Sequence, residues 1–380
     1  MASHKKTYKI AYVTGTRAEF GYFRHVLQTL KKRGFNVLVV ATGMHTVRGF
    51  GNTFREVKGS GLRTIALKDG TDGKSLSRMA AATGKNLAQL SALFAKEKPD
   101  IVLVEGDRGE QVAAALAAAY LNIPVLHRAG GNWSGTIDNK LRWALSALAD
   151  YHFPSNSAFA RNLRKSGIPK ERIFDIGGVT PDAIARKEFL APRECRKKYG
   201  INEGQCSVLL AYHPDTTAHG TEKAQIEEVL AGLSNFDVPV IAIGANADAG
   251  GAAINARLRA YAHTKKNFSF YEHVNRSDYL GLLNCVDALI GNTSSGFHEL
   301  PSFKKPYVCI GSRQEGRLGE LRHILRVPPK RGAIERALKK ALFDVRFRHS
   351  LKDIRNPYGK GDFYKKFPQT LKRILASRHY

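Results

Sequence analysis

The residues best able to do chemistry in this 380-residue chain recur at one kind of place, just past a short apolar run. Arg17 follows KIAYVTG (9–15), His45 follows NVLVVATG (36–43), and Asp107 closes DIVLVEGD (100–107) with Arg108 next to it. His127, Arg128, Gly130 and Gly131 end IPVLHRAGG (123–131). The second half repeats the arrangement with His213, Asn246, His273, then Asn292-Thr293-Ser294-Ser295-Gly296, and finally Arg313. One histidine or aspartate at a strand end is ordinary. Several carried to one edge by successive strands form a polar cleft, the usual setting of a binding site.

The segment ALIGNTSSGFHELP points to the ligand class most directly. An apolar strand opens into hydroxyl and glycine residues, with a helix expected to start at Ser295 or Gly296. Free amides at a helix start, aided by the helix dipole, hold a phosphate. Glu299, one turn on, is placed to accept hydrogen bonds from ribose hydroxyls. The plainer alternative is a serine N-cap. The segment lacks the GK[ST] ending of a Walker loop, and the first loop lacks GxGxxG, which argues against a nicotinamide dehydrogenase.

Continuous apolar strands alternating with amphipathic helical stretches imply parallel sheets covered on both faces. The pattern runs through the first half and restarts at CSVLLAYHP (206–214), continuing through VPVIAIGAN (238–246), FSFYEH (268–273), DALIGNTSS (287–295) and PYVCIGS (306–312). The Gly- and Pro-containing FDIGGVTPDAI (174–184) reads as the hinge between them. The expected architecture is α/β, two doubly wound Rossmann-like domains facing across a cleft. Residues 1–178 form the first, 179–360 the second, and 361–380 a final helix packing back on the first. Ligands of such sheets bind beyond the carboxyl ends of the strands, where the residues above lie.

Composition narrows the rest. A length of 380 residues favours two cores over one, and 43% hydrophobic with 24% charged residues is ordinary for a globular chain. The formal net charge of +27 favours anionic ligands. Residues 321–380 hold 17 Lys/Arg against 4 Asp/Glu, interleaved with apolar residues as on a solvated helical face. No nucleic-acid-binding motif accompanies the charge, so nucleic acid is not the expected partner. The four cysteines are scattered without a CxxC pair, and neither a metal nor a redox cofactor is implied. With no signal-peptide pattern and no membrane-length apolar run, the expected location is the cytoplasm.

TGTRAEFGYF (14–23), VEGDRGE (104–110), HRAGGNWSGTIDNKLR (127–142), YHPDTT (212–217), GNTSSGFHELPSF (291–303) and GSRQEGR (311–317) occur in order at appropriate distances. As a set they resemble the UDP-N-acetylglucosamine 2-epimerases, in their hydrolysing branch. The resemblance implies a glycosyltransferase-B-like fold, a UDP-sugar substrate, no cofactor and a homo-oligomer, a dimer being the simplest. It implies removal of the C2 proton as UDP leaves C1, then hydration of the resulting glycal. Asp107 and Asp138 match carboxylates around C1 and C2, and His213 a histidine beside the diphosphate. Arg17 and Arg108 match cationic contacts to phosphates and sugar, and Arg313 or Arg317 a contact to the nucleotide. Ser294, Ser295 and Gly296 match the diphosphate loop, with Glu299 at the ribose. His45, Asn246 and His273 complete the expected binding set.

Two positions depart from the pattern. The family writes His-Ile-Glu-Gly-Gly-Glu where this chain has His127-Arg128-Ala129-Gly130-Gly131-Asn132, so Ala129 replaces a catalytic carboxylate. Asn139 replaces a carboxylate after the GTID aspartate. Asp138 is equally placed to cap the helix that follows it. A UDP-sugar-binding homologue without catalysis, and a related nucleotide-sugar transferase, stand as the alternative readings.

Overall fold

The computed structural model describes residues 7–47, 53–70, 75–134, 137–215, 220–246, 248–315, 318 and 321–377. Among the described residues, twelve strands form two sheets. The first contains β1 (Lys9–Thr14), β2 (Asn36–Ala41), β3 (Arg63–Ala66), β4 (Ile101–Glu105), β5 (Val125–Arg128) and β6 (Tyr151–Phe153). The second contains β7 (Val208–Ala211), β8 (Val240–Ile243), β9 (Phe268–Tyr271), β10 (Ala288–Gly291), β11 (Tyr307–Ile310) and β12 (Ile324–Val327).

The strand orders are β3-β2-β1-β4-β5-β6 and β12-β11-β10-β7-β8-β9, with every ladder parallel. Read from the opposite edge, the second order repeats the first, and each is the doubly wound 3-2-1-4-5-6 arrangement. The order reverses between β1 and β4 and again between β7 and β10. Helices covering opposite faces diverge there and leave a crevice past the strand ends. The interior strands are buried along almost their whole length, β4, β7, β8, β10 and β11 completely, because helices cover both faces. Two α/β layers built this way are the glycosyltransferase-B-like architecture expected from the sequence.

Three strands had no counterpart in the sequence reading: β3 (RTIA), β6 (YHF) and β12 (ILRV). All three are sheet edges of three or four residues. An edge strand is partly open to solvent, so it carries no uninterrupted apolar run to announce it.

Two helices show how the first sheet is closed. Arg17–Lys32 starts with a capping box, the Thr16 hydroxyl accepting from the Glu19 N–H while Glu19 reaches back to the Thr16 N–H. It buries Phe20, Phe23, Val26, Leu27 and Leu30. The last helix, Phe363–Ala376, enters the same core from the far end of the chain through Phe363, Phe367, Leu371, Ile374 and Leu375. Phe367 sits edge-on to both Phe23 and Phe153, with ring centroids 5.5 and 5.0 Å apart.

The outgoing and returning crossovers touch. The Gly178 N–H donates to the Tyr358 carbonyl at 2.7 Å. The Asp182 carboxylate accepts from the N–H groups of Phe363 and Tyr364 at 3.0 and 2.8 Å, satisfying the open start of the final helix. Gly361 must be glycine, with φ of +83° and a built Cβ only 2.3 Å from Cβ of Ala185.

Candidate active site

The loops after β1, β4, β7 and β10 lie at the two switch points, and most of the residues picked out from sequence stand on them. Arg17 opens the first helix after β1, and Asp107 and Arg108 follow β4. His213 follows β7, and Asn292 to Gly296 follow β10. Asn246, His273 and Arg313 sit past β8, β9 and β11. The halves meet here. Arg108 of the first donates through Nη1 to Asp248 Oδ1 of the second at 3.1 Å. Burial, helped by the charge of Arg17, lowers the pKa of His273 on the opposite side.

His213 is held in one tautomer. Its Nδ1 accepts the backbone N–H of Asn246 at 3.1 Å, so the single proton of the neutral ring is on Nε2. Asn292 grips its backbone from both sides, donating to the His213 carbonyl and accepting from its N–H, each at 2.7 Å. Burial, with Arg313 adding to it, pushes its pKa down to about 3. His213 is therefore a neutral hydrogen-bond donor near neutral pH rather than a base. Arg313 lies beside it, donating to the carbonyls of Pro214 and Asn292, each at 3.3 Å. A cavity of about 430 Å³ opens next to Arg313 and Asn292, bounded also by Tyr212, Ser312 and Arg326.

The phosphate loop differs in part from expectation. The helix begins at Ser295, yet it lasts only to His298, and a second turn runs Leu300–Phe303. Pro301 cannot donate the N–H that would continue the first turn. So short a helix brings little dipole, and a ligand would meet local N–H groups and hydroxyls instead. Ser294 occupies the N-cap position, but its side chain makes no capping bond. Ser295 is buried, its hydroxyl 3.5 Å from that of Thr293. Gly296 is constrained by packing, since a Cβ there would lie 2.1 Å from the Tyr307 ring.

Two expected ligand contacts are enclosed instead. His45 is fully buried, with Nε2 3.1 Å from the Thr14 hydroxyl and Nδ1 2.8 Å from that of Thr53. It lies behind the cleft as a support. Glu299 is also fully buried. Its carboxylate is 2.8 Å from Arg276, and its charge adds to burial in raising the pKa of Tyr22, which reaches across from the first half. The Arg276 guanidinium in turn lies 4.3 Å above the Tyr22 ring. A ribose reaches Glu299 only after Tyr22 and Arg276 move. Arg317 lies outside the described residues.

Around the carboxylates, Asp107 is ion-paired with Arg142, which is buried and also donates to the Asn132 carbonyl and the Ser134 hydroxyl, each at 3.2 Å. Asp138 is the first residue of the helix Asp138–Leu148, one place inside the cap position held by Ile137. Its charge is felt by Arg108: burial opposes that guanidinium's charge, but Glu110, Asp248, Glu19 and Asp138 outweigh it and raise its pKa. Asn139 accepts the Ser134 N–H at 3.3 Å.

Arg128 points away from the cleft, ion-paired with Glu105 and 5.8 Å from the Phe23 ring. This is the alternation expected along a strand. Ala129 has φ of +64°, a left-handed conformation unusual for a residue with a side chain. Arg142, Glu110 and Asp248 are polar site residues the sequence reading missed. Arg142 and Glu110 lay inside recognised motifs, while Asp248 carried no signal beyond its place after β8.

Two facing doubly wound domains with cations and hydroxyls at their switch points define a nucleotide-sugar-handling protein of glycosyltransferase-B-like fold. The profile of the family described as UDP-N-acetylglucosamine 2-epimerase matches residues 28–372, and the chain belongs to that family. It is 34% identical over 372 residues to UDP-N,N'-diacetylbacillosamine 2-epimerase (hydrolyzing) of Legionella pneumophila, covering 96% of both chains. It is 29% identical to GDP/UDP-N,N'-diacetylbacillosamine 2-epimerase (hydrolyzing) of Campylobacter jejuni, over 82% of each. Among solved structures, UDP-GlcNAc 2-epimerase from Neisseria meningitidis bound to UDP-GlcNAc superposes with a TM-score of 0.82 at 19% identity, covering 96% of this chain and all of that one. An S. aureus MnaA–UDP co-structure gives 0.80 at 21% identity, covering 97% of each. No helix among the described residues is long and apolar enough to cross a membrane.

Proposed function

We propose that the chain is a hydrolysing UDP-N-acetylhexosamine 2-epimerase, and that its sugar carries a second acetamido group, as in the substrates named for the Legionella and Campylobacter relatives. The observation that carries the reading is the cross-cleft grouping. Asp107 and Arg108 stand at a strand end of one sheet and Asp138 opens the helix Asp138–Leu148 of the same half, while His213, Ser294 and Arg313 stand at strand ends of the other sheet. The second set suits a diphosphate, and the first suits a sugar held against it.

In this reading UDP departs from C1 as a carboxylate takes the proton from C2, and water then adds to the glycal with the opposite C2 configuration. Asp107 and Asp138 handle the protons at C2 and at water. Arg17, Arg108, Arg313 and the Nε2–H of His213 receive the charge that grows on the departing diphosphate. Ser294, with its uncommitted hydroxyl, contacts the phosphates. The methyl group of Ala129 transfers no proton, so the chemistry rests on the two aspartates and the vacated volume is available to a larger sugar. The protein acts in the cytoplasm, as a homodimer.

Incubation with UDP-GlcNAc and with a UDP-2,4-diacetamido sugar in deuterated water, followed by NMR, tests this. The expected result is UDP release with deuterium at C2, faster on the diacetamido sugar. Asp107→Asn and Asp138→Asn abolish exchange while UDP still binds. A wild type that binds UDP but releases none from either sugar overturns the enzyme in favour of a binding homologue, the reading that Ala129 favours.

A further inference from the structure

We infer that Asp248 is a positioning residue that holds the cations of the diphosphate site from both sides of the cleft. It belongs to none of the groups matched by resemblance. Its carboxylate is nonetheless the meeting point of the site. Oδ1 accepts from Arg108 Nη1 of the first half at 3.1 Å. Oδ2 accepts from Asn246 Nδ2 at 2.5 Å and faces Arg313 Nη2 at 4.0 Å. The backbone N–H of the same Asn246 fixes the tautomer of His213. One buried carboxylate thus orients three groups assigned to the departing diphosphate, Arg108 and Arg313 directly and His213 through Asn246. Asp248 is 4% exposed, where an ion left unpaired would be strongly disfavoured. Burial opposes its ionisation, but Arg108 and Arg313 outweigh burial and keep it ionised.

The arrangement has two consequences, and both rest on the hydrolysing-epimerase reading. First, Arg108 and Arg313 are held in place before the ligand arrives, and small misplacements of charge-stabilising groups are costly to a rate. Arg108 is clamped at both ends, its Nε on Glu110 Oε1 at 2.9 Å and its Nη1 on Asp248. Second, Asp248 lowers the net positive charge around the phosphates. It trades ground-state affinity for UDP against order in the transition state and eases product release. Its effects on turnover and on UDP binding therefore have opposite signs, which a purely structural residue does not produce.

The test is Asp248→Asn in the full chain, with thermal unfolding to verify the fold, calorimetry with UDP, and NMR turnover of UDP-GlcNAc and the diacetamido sugar. Asn keeps an oxygen for Asn246 but loses the charge. Turnover should fall by about 10–100-fold. UDP should bind roughly fivefold tighter, from removal of one negative charge several ångströms from the phosphates. Turnover unchanged, or turnover and UDP affinity falling together, overturns the proposal. Should the Asn variant not fold, Asp248→Glu serves: it keeps the charge on a longer arm, so turnover falls while UDP affinity holds, and unchanged turnover overturns the idea. If the wild type turns over neither sugar, the enzyme reading fails. The UDP comparison still decides whether Asp248 tempers the phosphate site.

Discussion

Gly296→Ala tests how the proposed phosphate loop is built. The added methyl would lie 2.1 and 2.2 Å from Cδ1 and Cε1 of Tyr307. Tyr307 is fully buried, so its ring cannot swing into solvent. Either the ring or the loop must shift. The Tyr307 hydroxyl shares its one proton between the carbonyls of Thr293 at 2.9 Å and Gly291 at 3.2 Å, so displacement of the ring also loosens the loop's moorings. Overpacking of this kind costs about 1–3 kcal/mol, and weakening of the shared hydrogen bond roughly another 1 kcal/mol. A stability loss near ~3 kcal/mol is expected by urea unfolding, within the sum of those contributions. Movement of Ser294 should weaken UDP binding about tenfold, the equivalent of ~1.4 kcal/mol. Full stability with lost binding would mean that Gly296 is needed for close approach of the ligand rather than for packing on Tyr307. Unchanged stability and affinity would refute the packing argument altogether.

The buried histidines make stability depend on pH. Burial lowers His45 to about 4 and His127 to about 3, so each contributes fully above its unfolded value near ~6.5 and loses that contribution as pH falls toward the folded value. At pH 4 the two cost about 3 kcal/mol each, and urea unfolding from pH 7 to 4.5 should show a steady decline; a flat profile would contradict it. Phe367→Ala should destabilise by about 3–5 kcal/mol by opening a cavity among Phe23, Phe153 and Phe363, and a near-neutral change would show that the last helix is not part of that core.

The interior strands were legible because burial on both faces writes itself as a continuous apolar run, as in IVLVE of β4 and VLLA of β7. The edges β3, β6 and β12 were not, being short and partly exposed. The strand-end residues were legible for the same reason as the strands: doubly wound topology sends every strand's exit to one edge. Residue type did not reveal which exits face the cleft. His45 and Glu299 look like ligand contacts in sequence, and packing encloses both. Asp248 drew no notice because its partner Arg108 stands 140 positions away. Pairing across that distance exists only once two domains are assembled.

The final helix also bears on the order of synthesis. The first sheet's core includes Phe363, Phe367, Leu371, Ile374 and Leu375, which a ribosome delivers only after the whole of the second sheet. Until then the surface around Phe23 and Phe153 lacks its cover, and the Asp182 carboxylate lacks the N–H groups of Phe363 and Tyr364 that it accepts from. The strands of the first sheet are thus sealed only after the second sheet has been made, through contacts of very large sequence separation, which are slow to form. A growing chain would expose apolar surface throughout the making of its second half. It is the kind of nascent chain on which holding chaperones act, and one that tolerates little loss from the helix Phe363–Ala376.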